Sequence, residues 1–308
     1  MTGPSPYVRR HWLAQQIKNL RHEHEYPSEQ LARILGFPRQ QLSALENGHV
    51  GPDIDLVAGI CEFLQVAPRR REAIMSAAAD GWAIGWWQAD AARMGRRQAR
   101  YADLESGTRT ITEYALALIP GLLQTRAFAD ARMRSDPGRH DDEFDPVVAV
   151  RARAHRQQLL LADGGPRYEL VLDEFAVRRC AAEPPVVAAQ LRHIVAVCAE
   201  HPSVTVRILP IDATITRHSA PRSAYSIYRY RDGYETLAVA VDTLTTDLVL
   251  TEPADIDPYR SLHSRLKAAT LPPEASLDML SAVAHQLSPT EEFHDRSDLQ
   301  EMAQIDPQ

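Results

Sequence analysis

Lysine is almost missing from this chain of 308 residues: Lys18 and Lys267 are its two lysines, beside abundant arginine, alanine and proline. That bias is what a GC-rich coding sequence produces and says nothing of activity. Cysteine is equally scarce. Cys61, Cys180 and Cys198 are far apart and show no metal-ligand spacing, which excludes a disulfide scaffold and a zinc module and leaves buried thiols as the expectation. No apolar run approaches the ~18 residues that span a bilayer, and no leader segment opens the chain, so a soluble protein of the reducing cytoplasm is expected. There is no basic excess either. The net charge of −7 excludes a uniformly basic nucleic-acid coat, so any contact with a polyanion must come from a local patch; within the first eighty residues acids and bases balance.

Catalytic signatures are missing too. No Gly-x-Ser-x-Gly elbow, phosphate-cradling glycine loop or His-Glu metal motif appears. Asp173 and Glu174, with His193, His201 or His218, are the candidates for an acid–base pair, but scattered titratable residues are normal in any chain. Glu174 is expected to cap the next segment or pair with Arg178. His22 and His24 stand two apart and diverge on a helix, so no metal is expected there. The chain is read as a non-enzyme without cofactor or metal.

What is present begins with residues 29–48, EQLARILGFPRQQLSALENG. Leu31, Ala32 and Leu35 form an apolar stripe at helical spacing, and Gly36 stands where the chain must leave the helix with left-handed dihedrals. Pro38 opens a second helix, acceptable in a first turn because its missing N–H would be unpaired there. Leu42 and Leu45 share one side of that helix. The opposite face carries Gln40, Ser43, Ala44 and Asn47, with Arg39 and Gln41 on the flanks. Glutamine and arginine can pair with adenine and guanine edges in a major groove, and the small residues permit close approach. The alternative is an amphipathic hairpin with a solvated polar face. Flanking stripes at Trp12, Leu13, Ile17 and Leu20, in a segment beginning near His11, and at Ile54, Val57, Ile60, Phe63 and Leu64 complete four helices around one core. Asp53 is placed to cap the last, and Asn47-Gly48 supplies the turn.

With Glu46-Asn47-Gly48 followed by Pro52, residues 9 to about 75 resemble the XRE-type, phage-repressor-like helix-turn-helix regulators. The resemblance implies DNA reading by the second helix of the motif. Two positions depart from the family pattern: Pro27-Ser28 stand where a capping Thr and a phosphate-contacting Gln are usual, which leaves that contact to Ser28, and Pro38 replaces a capping Ser.

Beyond residue 75 the chain passes through Trp82, Trp86 and Trp87 into the arginine-rich Arg93, Arg96, Arg97 and Arg100. The tryptophans read either as packing at a domain junction or as the wall of a ligand or partner site. The arginines read either as phosphate contacts or as a solvated helix face. Helical pattern continues over 101–134, broken at Pro120-Gly121, and over 149–161, with Arg151, Arg153, Arg156 and Gln157 on the polar side. The period then changes to that of strands at 168–177, 204–211, 224–232, 236–244 and 247–251. A helix over 186–201 separates the first two, Arg231-Asp232-Gly233 predicts a hairpin, and helices over 258–269 and 275–287 precede a loose acidic tail.

The run of Trp86-Trp87, Tyr101 to Glu105, IPGLLQT at 119–125, Arg153 to Gln157, LDE at 172–174 and VTVRILP at 204–210, with Asp242 as the acid after the strand at 236–241, resembles actinomycete XRE-type regulators with a C-terminal domain of unknown function, some of them antitoxin-like. The expected fold is an N-terminal all-α, lambda-repressor-like helix-turn-helix domain (9–75), a helical junction (76–110), an α+β domain with a small mixed sheet (111–288) and a flexible tail (289–308). The expected function is sequence-specific transcriptional regulation. Ser28, Arg39, Gln40, Gln41, Ser43, Ala44 and Asn47 would lie on a pseudo-palindromic duplex bound by a homodimer, and Trp82, Trp86 and Trp87 near a ligand or partner. The alternative is an antitoxin-like module holding a small protein encoded nearby. No membrane partner is implied.

Overall fold

Ser5 opens the first helix by accepting the Val8 N–H at its hydroxyl (3.1 Å), so α1 runs from Pro6 to Glu23 and starts well before the expected His11. The computed structural model describes residues 5–48, 51–80, 84–135, 143–231, 236–243 and 247–288. After α1 come α2 (Ser28–Leu35), α3 (Arg39–Glu46), α4 (Ile54–Phe63) and α5 (Pro68–Asp80). Gly36 ends α2 at φ 74°, the left-handed exit that glycine adopts without penalty. Pro38 is the extended residue before α3 and not part of its first turn. Asp53 caps α4, accepting the N–H groups of Asp55 (3.0 Å) and Leu56 (3.1 Å).

Leu13, Ile17, Leu20, Leu31, Leu42, Leu45, Val57 and Ile60 meet in one core. Two expected members are displaced. Ile54 (46% exposed) and Phe63 (37%) fall at the margins of the α4 stripe, and Leu56 and Cys61 take the buried places. A fifth helix, α5, closes the core with Ile74, Ala77 and Ala78, so the helical unit has five helices where four were expected.

The second unit is built on a six-stranded sheet in the order β3-β2-β1-β4-β5-β6. In chain order α6 (Arg96–Glu105) leads into β1 (Thr108–Ala115), a 3-10 turn (Gly121–Leu123), α7 (Arg126–Ser135) and α8 (Pro146–Leu161). Then follow β2 (Arg167–Asp173), α9 (Glu174–Arg178), α10 (Pro184–Glu200) and β3 (Val204–Leu209). The chain ends through a 3-10 turn (Thr216–His218), β4 (Tyr225–Tyr230), β5 (Leu237–Val241), β6 (Leu248–Leu250), α11 (Pro253–Ala268) and α12 (Pro273–Gln286). β1 pairs parallel with β2, and β2 with β3; β4, β5 and β6 extend the other side antiparallel. This is the expected α+β arrangement with a mixed sheet.

Its centre is a correction. Residues 108–115 were expected to continue a helical segment, yet they form β1, paired on both sides. TRTITEYA alternates, with three threonines and Ile111 stiff at χ1. Ile111 and Ala115 enter the core on one face, and Tyr114 enters the core on the other. The expected strand at 168–177 also stops early, because Asp173 caps α9 by accepting the Phe175 N–H (2.9 Å). Asp232 and Gly233 of the expected hairpin, and the tail after Ser288, lie outside the described residues; the antiparallel β4–β5 pairing is present.

Helices α6, α7, α8, α10 and α12 cover one face of the sheet and α11 the other. Cys61 is buried, but Cys180 is exposed just after α9, against the expectation of a buried thiol. Among the described residues no helix is long and apolar enough to cross a membrane.

Candidate nucleic-acid interface

Leu42 and Leu45 anchor α3 in the helical core, and that anchoring turns Arg39, Gln40, Ser43 and Asn47 outward, with Ala44 half-buried between them. Among the described residues nothing holds the side chains of Arg39 or Gln40. The adjacent Gln41 differs: it is half-buried and its Nε2 donates to Asp53 Oδ2 at 2.6 Å. Two neighbouring glutamines therefore have separate tasks, one open and one tying α3 to the cap of α4. Asn47 closes the helix, its amide nitrogen donating to the Ser43 carbonyl (2.6 Å). Gly48 then turns at φ 64° close against His11, where a Cβ would stand 3.3 Å from the imidazole Nδ1.

The far end of α3 is fixed from α1. Arg21 grips Glu46 with two bonds, Nε to Oε1 at 2.6 Å and Nη2 to Oε2 at 3.1 Å, and its Nη1 donates to the Tyr26 carbonyl (3.0 Å). Both side chains are largely buried, at 13% and 8% exposure. Sequence reasoning placed Glu46 in the turn but did not find Arg21, since nothing local marks which arginine of an amphipathic helix will fold inward.

At their N-termini α2 and α3 share one feature. Pro27 and Pro38 are the cap residues, and neither offers a side-chain acceptor to the first-turn N–H groups. A Ser or Thr cap would consume one of those donors. With proline they stay available, next to Ser28 on α2 and Arg39 on α3, to phosphate oxygens, which helix N-termini favour.

The arginine-rich stretch at 93–100 is engaged within the protein. Arg93 pairs with Asp90 (3.0 Å) and Asp145 (3.0 Å), Arg97 with Asp247 (2.7 Å) and Asp242 (3.4 Å), and Arg100 lies over the Tyr7 ring. These three are exposed but not a bare solvated face, since each has a partner within the protein. Trp87 is buried against Met94, Ala99, Ala102 and Ala152, with Trp86 packed edge-on beside it and against His155. Gly85 permits this, because a Cβ there would stand 2.2 Å from the Trp87 ring. Trp82 lies outside the described residues.

The two units are joined at Asp103 of α6. Its buried carboxylate accepts from the Ser5 hydroxyl, from the Tyr7 N–H (3.3 Å) and from Trp87. Burial raises its pKa above the usual carboxylate range, against the lowering effect of these donors. Val8, two residues into α1 beyond the clamp, enters the core of the sheet unit, while Arg9 pairs with Asp80 of α5 at 2.5 Å. Helix α1 thus belongs to both cores.

IPGLLQT at 119–125 is held as a loop by side chains from two helices. Gln157 donates to the carbonyls of Gly121 (2.9 Å) and Gln124 (2.8 Å), and Arg153 to Gln124 Oε1 (2.9 Å). From α10, Gln190 donates to the Leu123 carbonyl (2.7 Å) and accepts the Thr125 N–H (2.6 Å). Gln190 was missed, though a single amide inside the apolar run VVAAQLRHIV is a signal of a buried polar partner. Arg156, expected on the polar side of its helix, is instead buried in a bidentate pair with Glu105 (2.8 and 2.5 Å). Burial disfavours its charge, but Glu105 outweighs that and raises its pKa. Nearby Glu113 accepts from Tyr168 (2.5 Å) and is pushed up to about 8, chiefly by burial.

The acid–base candidates are dispersed. Asp173 accepts from Tyr114 (2.9 Å) and caps α9, and Glu174 accepts the Ile211 N–H (2.9 Å) and pairs with Arg178 (2.5 Å), as expected for that residue. His193 lies within α10, His201 follows its last turn, and His218 lies in the second 3-10 turn.

Two family models match this chain: a helix-turn-helix over residues 17–70 and a domain of unknown function (DUF5753) over residues 98–282. No curated protein and no solved structure matches it. The second match covers more than half of the chain, so the protein belongs to the DUF5753 family, with an XRE-type helix-turn-helix at its N-terminus that makes it a DNA-binding regulator.

Proposed function

We propose that the protein is a sequence-specific transcriptional regulator that binds a pseudo-palindromic operator as a homodimer. The observation that carries this reading is the outward face of α3, where Arg39 and Gln40 stand exposed and uncommitted while Gln41, Arg21 and Glu46 are spent holding the helix in place. Arg39 and Gln40 would read base edges, Ser43 and Ala44 would admit the helix to the groove, and Asn47 would position the backbone. Ser28 and the first turn of α2 would meet a phosphate. Gln41 acts in this scheme through Asp53, fixing the angle of α3. In a dimer two such helices would stand about one DNA turn apart.

The sheet unit would supply the decision, by dimerising, by sensing a ligand or by holding a partner, with no catalytic role assigned to it. Its route to the reader is α1, which lies in both cores and is clamped at Asp103. Genome-wide mapping of bound DNA gives the operator, and anisotropy titration with that duplex tests the reading. Replacing Arg39 and Gln40 with alanine is expected to cost roughly 1–3 kcal/mol per lost base contact with an unchanged fold. Equal operator affinity in wild type and double variant would reject the assignment.

A further inference from the structure

Between α11 and the sheet face it covers lies a cleft of about 260 Å³ that none of the roles above uses. Its floor comes from four strands, with Thr110 and Thr112 of β1, Glu169 of β2, Ile227 of β4 and Leu237 of β5, and its wall from α11. The volume suits a small molecule.

Two features of the lining agree in sign. Arg229, Arg260 and Lys267 border the cleft against one acid, Glu169, which Lys267 pairs at 2.5 Å. Arg260 reaches it from the exposed side of α11, where its carboxylate partner Asp257 is itself largely in solvent (3.0 Å; 65% exposed). The second feature is His263, 6% exposed on α11 and part of the same lining. Its Nδ1 lies 3.3 Å from the Tyr225 hydroxyl, and its buried Nε2 has no hydrogen-bond partner among the described residues. A buried nitrogen without a partner carries a desolvation cost that a protein rarely leaves uncompensated. Burial, with Lys267 adding to it and Glu169 opposing, lowers the imidazole pKa to about 4, so the ring is neutral at pH 7. The tautomer that offers an N–H from Nε2 is the one in which the Tyr225 hydroxyl donates to Nδ1.

The geometry points to a binding site for a small organic anion, whose carboxylate or phosphate oxygens accept from His263 Nε2 and lie among Arg229, Arg260 and Lys267, with its apolar part on Ile227. This deepens the sensing role given to the sheet unit by naming a place and a ligand class. Thr110 and Thr112 add hydroxyls from β1, the strand that directly follows the α6 clamp.

The test is calorimetric titration of the full chain with inorganic phosphate, phenyl phosphate and benzoate, beside Arg260→Ala and His263→Phe. Arg260→Ala changes an exposed side chain and keeps the test valid if the buried substitution harms folding. At least one probe is expected to saturate one site per chain and to bind about tenfold or more weakly in Arg260→Ala, as loss of a charge-assisted bond implies. Phenyl phosphate or benzoate binding alone would distinguish the phosphate from the carboxylate source. The His263 Nε2–H proton resonance should shift on saturation. Absence of binding by all three probes overturns the site, as does binding that neither substitution weakens. Operator affinity is measured on the same samples without probe, so a failure of DNA binding and a failure of anion binding are read separately.

Discussion

The helical unit and the sheet unit treat their polar side chains in opposite ways. On α3 the charged and amide groups at positions 39 and 40 face outward, and among the described residues nothing holds them. In the sheet unit Arg153 and Arg156, Gln157 and Gln190 are turned inward onto a carboxylate and loop oxygens. The residue types are the same; what differs is whether a partner is built beside them. An unoccupied polar face on a firmly anchored helix is a surface prepared for something outside the chain, whereas a saturated one is architecture.

The sharpest way to break this contrast is Glu105→Ala. It would strand Arg156, buried among α6, α8 and β1, and a buried charge without its partner costs about 3–5 kcal/mol. Chemical denaturation should show that loss; a variant as stable as wild type would mean that the inward network is ornamental. In the helical unit Glu46→Ala frees Arg21, and the loss of its paired hydrogen bonds is expected to cost about 1.5–3 kcal/mol. Operator affinity should fall with it even though the Glu46 side chain is largely buried and turned to α1, because α3 loses its anchor. Retained affinity would place the positioning of α3 elsewhere.

A pH-dependent effect sharpens the sheet side. Glu113 is raised from 4.5 to about 8 in the folded protein. Between those values the native state binds more protons at this site than the unfolded chain, so its contribution makes stability fall as pH rises through the window. Glu113→Gln should flatten that part of the profile and gain most above pH 8. Parallel profiles for the two proteins would show that Glu113 titrates normally.

The sequence made the reader unit legible because its signals are local. Gly36, the Leu42–Leu45 pair, Asp53 and Asn47-Gly48 each act within one or two turns. Strands β2 to β6 were visible for the same reason, through alternation over a few residues. What escaped depends on partners far along the chain. β1 is fixed by β2 and β4, residues 167–173 and 225–230. The first turn of α1 is helical and buried because Asp103 and Ser106 receive Ser5 almost a hundred residues later. Arg156 is buried because Glu105 comes to meet it, and a helical wheel of 149–161 contains no trace of that. The cleft under α11 is of this kind too, since its lining joins four strands to one helix.

Operator reading depends most on the open face of α3. Anisotropy titrations of wild type and of the Arg39→Ala, Gln40→Ala double variant, on the mapped operator and on a scrambled duplex, test it directly. The expected result is a drop of about tenfold or more on the operator, a much smaller change on scrambled DNA from the loss of one positive charge, and unchanged unfolding. Equal operator affinity in the two proteins, with both folded, would contradict it.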